Sequence, residues 1–153
     1  MRPGVRLACD VGSVRIGVAR SDASGMLAVP LEAVPAGDGA ATAVGDLVTE
    51  WEAIEVFVGL PLHLSGVEGG SAEHARDWAR NLAERIAVPV RLIDERLSTV
   101  QAQRALRAGG RSTRQSRSLI DSASAVMVLQ SALDAETGTG APPGEVVKGG
   151  EGT

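Results

Sequence analysis

Apolar positions along this chain change their period several times, and each change marks an element. Residues 5–10 (Val-Arg-Leu-Ala-Cys-Asp) form a short, mainly apolar run that ends on an acid, and residues 11–13 (Val-Gly-Ser) read as a turn. Residues 16–21 form a second strand, so the pair predicts a hairpin. Residues 27–34 predict a third strand, which Pro30 places at a sheet edge because proline cannot donate to a central ladder. Residues 42–51 predict a helix. Residues 56–60 are apolar without a break, the signature of a strand covered on both faces. Ala75, Trp78, Ala79, Leu82, Ala83 and Ile86 recur at helical spacing within residues 71–87, opposite a charged face.

The C-terminal half continues the alternation. Residues 89–95 predict a strand that ends on Asp94 and Glu95. Ser98 or Thr99 can cap a helix running to Ala108, which Gly109 and Gly110 stop. A final helix over residues 119–135 is apolar almost all round and predicts deep packing. Residues 137–153 are rich in Gly and Pro and predict disorder, which places a single domain at residues 1–136. The order is three strands, helix, strand, helix, strand and two helices. An antiparallel meander followed by βαβ units predicts an α/β fold, a mixed central sheet flanked by helices.

Composition narrows the function classes. The 153 residues suit one domain. A hydrophobic share of 44% is enough for a core and excludes global disorder. One cysteine, Cys9, cannot make an intramolecular disulfide; it falls on the opposite strand face from Asp10 and is expected to be buried and inert. No signal peptide and no membrane-spanning run is visible, so a soluble cytoplasmic protein is the expectation. With no Tyr and one Phe, recognition by stacking bases on aromatic platforms is disfavoured. The net charge of −4 argues against bulk electrostatic binding of nucleic acid. The charge is unevenly spread, however: five arginines and no acid lie between Arg104 and Arg117.

Three sets of acids sit at element ends: Asp10 after the first strand, Asp94 and Glu95 after the last, and Asp121 in the first turn of the final helix. Each has an ordinary structural use. Asp10 can make an Asx-turn over Gly12, Glu95 can pair with an arginine, and Asp121 can complete a capping box with Ser118. Gathered by one sheet and one helix, they form a carboxylate cluster that repels itself unless a hard cation neutralises it. Mg²⁺ or Mn²⁺ is the natural partner, and two such ions roughly 3.5–4 Å apart activate a water and stabilise the leaving oxygen of a phosphodiester. His63 and His74 show no zinc spacing, and Cys9 has no partner thiol.

These residues carry a family resemblance. Residues 7–19 (LACDVGSVRIGVA), 58–62 (VGLPL), 94–99 (DERLST) and Ile120-Asp121 with residues 123–134 resemble, in order, the blocks of the YqgF (RuvX) family. The resemblance spans residues 5–135. It implies an RNase H-like fold related to Holliday-junction resolvases, and nucleases that process the 5′ end of precursor 16S ribosomal RNA. It implies that Asp10, Glu95 and Asp121 are the catalytic, metal-holding acids. Strand parity alone does not choose between Glu95 and Asp94. Two departures stand out. The loop at residues 62–66 (LHLSG) lacks the Asn and Asp usual in the family, and Arg114 and Arg117 stand before Asp121 where Lys is usual.

Arg107, Arg111, Arg114 and Arg117 suit phosphate positioning, because a guanidinium fork matches phosphate oxygens, although a solvated basic face explains them too. Arg96 can orient Glu95 or touch substrate. His63 is a candidate proton shuttle set against an ordinary loop residue. Gly12 and Gly17 suit a tight hairpin and a close backbone approach. The expected function is a metal-dependent nuclease acting on structured RNA or branched DNA, with pre-16S processing on the assembling small ribosomal subunit as the main reading. A Holliday-junction resolvase, which needs a two-fold homodimer, is the alternative. A non-catalytic nucleic-acid-binding module and an ATPase-like phosphate-binding domain are further readings; one domain is too short to close over a nucleotide as the latter requires.

Overall fold

The computed structural model describes residues 2–61, 69–95 and 121–147. Their strands form one sheet in the order β3-β2-β1-β4-β5-β6. The elements are β1 (Arg6–Val11), β2 (Arg15–Ser21), β3 (Ala28–Pro35), α1 (Ala40–Trp51), β4 (Glu55–Leu60), α2 (Gly70–Arg85), β5 (Val90–Asp94), α3 (Ala123–Thr139) and β6 (Glu145–Val147). β1, β2 and β3 form the expected antiparallel meander, with the Pro30 strand at the edge. β4 and β5 run parallel to β1, and every residue of β4 is buried, as its unbroken apolar run requires. The mixed α/β sheet read from the sequence is the one observed.

Side-chain alternation divides the sheet into two cores. Leu7, Cys9, Val18, Val56 and Val58 face α1 and α2. Ala8, Ala19, Phe57 and Ile93 face α3. Cys9 is a free, fully buried thiol on the first of these faces, and burial pushes its pKa well above the ordinary thiol range.

The α3 face is graded along the strands. At the end where β1 and β4 begin lies a buried ion network. Arg6 donates to Glu136 at 3.2 Å, Arg2 reaches Glu136 at 2.8 Å and Glu55 at 2.7 Å, and Arg91 pairs with Glu55 at 2.6 Å. The middle is apolar. At the far end, where β1 and β5 finish, stand Asp10 and Glu95.

Two sequence expectations need correction. Helix α3 begins at Ala123, with Ser122 as its N-cap residue, so Asp121 precedes the helix and does not lie in its first turn. The disorder expected from residue 137 does not hold for residues 137–147. Helix α3 continues to Thr139, Gly140 closes it in the left-handed conformation, and β6 pairs with β5. Gly and Pro there encode a helix stop and a turn: Gly144 adopts a φ of +93°, and a Cβ on it would stand 2.5 Å from the Leu92 carbonyl oxygen. The helix expected over residues 98–108 lies outside the described residues.

Candidate active site

Register builds the site. Asp10 pairs with Gly17 of β2, and the pairing of Cys9 with Val58 carries Gly59 to the other side of Asp10. Asp10 is thus flanked on the α3 face by two residues without side chains, and each gap is filled from elsewhere. A Cβ on Gly17 would stand 2.3 Å from the Asp121 carbonyl oxygen, so the backbone before α3 lies directly on Gly17. A Cβ on Gly59 would stand 3.1 Å from Glu95 Cδ, so the Glu95 carboxyl group passes over Gly59.

Parity resolves the choice between the two acids after β5. Asp94 pairs with Leu60, on the face of α1 and α2. Glu95 follows Arg91 and Ile93 on the α3 face, where Asp10 stands. Burial first, then a hydrogen bond and charge repulsion from Asp10, push the Glu95 carboxyl group up to about 8. The two carboxyl groups therefore meet, and the contact favours the protonated form of Glu95.

Asp121 is anchored by its neighbour. The β2–β3 ladder is irregular between Ile16 and Val18. Ser122 enters this break: its hydroxyl accepts from the Val18 N–H at 3.0 Å and donates to the Leu31 carbonyl at 2.8 Å. Val18 and Leu31 are register partners, so the hydroxyl bridges the two strands where their ladder falters. The Asp121 carboxylate is partly exposed and pairs with Arg15 at 3.4 Å. Of the three expected acids, Asp10 and Glu95 are in contact, while Asp121 brings its backbone to the site and turns its carboxylate to Arg15. Among the described residues no group of three or more His, Cys, Asp or Glu side chains is placed to hold a metal ion.

The donor chemistry of Asp10 and Glu95 nevertheless fits a hard divalent cation. Both offer only oxygen, and a cation between them would relieve the burial and repulsion that raise Glu95. Arg96, Arg107, Arg111, Arg114, Arg117 and His63 lie outside the described residues. The sequence reading missed Arg15, Gly59 and Ser122 as site-building residues. For Arg15 the signal was available, a cation five positions after Asp10 across a tight hairpin. For Gly59 and Ser122 it lies in tertiary contacts.

An α/β sheet of this order, with acids at the ends of β1 and β5 facing a C-terminal helix, is the RuvC and RNase H-like fold. A structure of Thermus thermophilus RuvC in complex with a Holliday junction substrate superposes with a TM-score of 0.54 at 18% identity, covering 89% of this chain and 97% of that one. The family is narrower than the fold. The RuvX model, described as Holliday junction resolvase, matches residues 4–135, and the chain belongs to that family. A Thermobifida fusca protein is 53% identical over 97% of this chain and 99% of its own length. A Streptomyces coelicolor protein is 52% identical over 97% and 90%. Both carry the name "Putative pre-16S rRNA nuclease".

Proposed function

We propose that this protein is a metal-dependent nuclease that processes the 5′ end of precursor 16S ribosomal RNA. Its family and its nuclease-named relatives make it a hydrolase of phosphodiester bonds. The observation that carries the mechanism is the Asp10–Glu95 contact at the ends of β1 and β5, where two carboxyl groups are held against their own repulsion. The choice of pre-16S RNA rests on relatives half-identical across nearly the full length of both chains.

Asp10 and Glu95 would hold Mg²⁺ or Mn²⁺, with Asp121 as the third carboxylate, and two ions are expected. The cation, when bound, supplies charge to polarise the phosphoryl oxygens and to favour ionisation of the attacking water. The chain's own residues set the rest. Asp10 is fixed near the end of β1 by its pairing with Gly17. Glu95 is seated over Gly59, on which Val128 also packs. Ser122 locks the backbone that carries Asp121. The Arg107, Arg111, Arg114 and Arg117 set is assigned the backbone phosphates, and Arg96 the neighbourhood of Glu95. No described helix is long and apolar enough to cross a membrane, and the proposed setting is the cytoplasm, on the assembling small ribosomal subunit.

The family description and the RuvC likeness favour a second reading, resolution of four-way DNA by a homodimer. One assay separates them: a 5′-extended pre-16S RNA and a four-way DNA junction offered side by side with Mg²⁺ or Mn²⁺ to wild type and Asp10→Asn. RNA cleavage lost in the variant is expected. Junction cleavage alone selects the second reading. Binding of either substrate without cleavage selects a non-catalytic module.

A further inference from the structure

Arg15 stands at the start of β2, at the rim of the acid site. Its backbone is fixed: its carbonyl accepts from the Gly12 N–H at 3.1 Å, and a Cβ on Gly12 would stand 2.5 Å from that same oxygen. The next residue back, Val14, accepts from the Ala36 N–H at 2.9 Å, which ties the hairpin tip to the end of β3. The Arg15 side chain, by contrast, is 57% exposed, and its contact with Asp121 is a single 3.4 Å ion pair to a carboxylate that is itself 38% exposed. An exposed pair of this kind contributes little and exchanges readily. A guanidinium is better matched to phosphate, with two parallel N–H donors for two oxygens, than to one carboxylate oxygen at that distance.

The contact therefore holds together two groups that each have a use elsewhere. The Asp121 backbone sits on the residue paired with Asp10, yet its carboxylate pairs with Arg15, and among the described residues the three acids are not gathered into one metal-holding group. Arg15 is a cation with a fixed backbone and an exposed guanidinium, held by one ion pair beside the acids that a phosphodiester must approach. We propose that Arg15 is a substrate-phosphate ligand that exchanges partners. In the free protein it holds Asp121 at the rim. When nucleic acid arrives, Arg15 takes a backbone phosphate next to the scissile bond, and Asp121 is released toward Asp10 and Glu95. The inference rests on the nuclease reading and adds a residue to it.

The test reads binding, so that loss of cleavage does not enter. In an Asp10→Asn background, Arg15→Ala is expected to weaken binding of 5′-extended pre-16S RNA or of a four-way junction roughly tenfold and to reduce the slope of log K against log salt by about one. Arg15→Lys should restore the slope but only part of the affinity, because a point charge lacks the fork. A second measurement uses Mn²⁺ alone, without nucleic acid, on the chain with Asp10 intact. Arg15→Ala should tighten Mn²⁺ binding roughly two- to fivefold, and the gain should vanish in the Asp121→Asn background. Unchanged affinity and salt slope in a chain that binds nucleic acid overturn the phosphate role. A Mn²⁺ gain independent of Asp121 overturns the exchange. If the Asp10→Asn protein with Arg15 intact binds neither nucleic acid, the nuclease reading fails and this inference with it.

Discussion

Gly59 carries no side chain at the point where the Glu95 carboxyl group crosses the sheet, and a Cβ there would stand 3.1 Å from both Glu95 Cδ and Val128 Cγ2. The position of the carboxyl group is thus set by an absence in the neighbouring strand. Gly59→Ala is expected to fold, since both contacts can yield by a few tenths of an ångström, at a stability cost of about 1–3 kcal/mol. The displaced Glu95 should lower cleavage roughly a hundredfold, because small misplacement of a reacting group is expensive. Near-normal activity with a displaced melting curve would show that Glu95 tolerates the shift.

The Asp10–Glu95 contact has a pH signature. Glu95 titrates at about 8 in the folded protein against an ordinary value near 4.5, so the folded state binds the extra proton between these limits. The sign follows: this contribution to the stability of the cation-free protein is fully present below about pH 4.5 and is lost as pH rises toward about 8. Thermal unfolding in chelator should show the midpoint falling across that window, and Glu95→Gln should flatten the fall. If Glu95 is a cation ligand, binding competes with its protonation, and stabilisation by Mg²⁺ or Mn²⁺ should be larger at about pH 8.5 than at about pH 6. A cation effect independent of pH would speak against Glu95 as a ligand.

Ser122 makes a different prediction. Its hydroxyl satisfies Val18 N–H and Leu31 C=O at the irregular part of the β2–β3 ladder. Ser122→Ala should cost about 1–3 kcal/mol by leaving a buried donor unpaired. Cleavage should fall by more than the folded fraction does, since the backbone carrying Asp121 loses its anchor. Gly17→Ala should be worse, because the Cβ would meet backbone at 2.3 Å and neither partner can swing away. Denaturant titration alongside kcat on the folded fraction checks both.

The ion network at the opposite end of the α3 face should affect stability alone. Glu136 is held down at about 2, chiefly by its hydrogen bond to Arg2. Its contribution is complete above about pH 4.5 and is lost as pH falls toward 2, so it adds to acid sensitivity. Glu136→Gln should cost about 3 kcal/mol, since it strips the fully buried Arg6 of its carboxylate partner. Activity per folded molecule should be unchanged, because Asp10 lies at the far end of β1 from Arg6.

Cys9 gives a check on the fold itself. Its thiol is buried and its pKa raised, so it should resist thiol reagents in the native state and react only on unfolding. Labelling at native-state rates typical of an exposed thiol would contradict the placement of β1 at the sheet centre.

Local patterning and the family blocks made much of this molecule legible. The alternation in β1 and β2, the unbroken apolar run of β4 and the Pro30 edge strand each follow from which faces a segment must bury, which a sequence states directly. The three acids were visible as a set for the same reason, since each stands beside an element boundary. What sequence could not settle depended on register and on contacts between distant segments. Asp94 and Glu95 are adjacent and chemically alike, and only the pairing of Leu60 with Asp94 puts Glu95 on the face of Asp10. Gly17 reads as a hairpin or close-approach residue and Gly59 as one position of an apolar strand, and only the sheet sets them on either side of Asp10. The Gly- and Pro-rich stretch after residue 136 reads as disorder by composition, yet Gly140 and Gly144 use their freedom to stop α3 and to return β6 to β5. The chain's own order of residues states where charge lies and where the described elements from β1 to β5 begin and end, to within a few positions, because those follow from local hydrophobic periodicity. Which carboxylates meet, and which one pairs with Arg15, follows from the folded sheet, because the energy of a charge depends on neighbours that the chain brings together from far along its length.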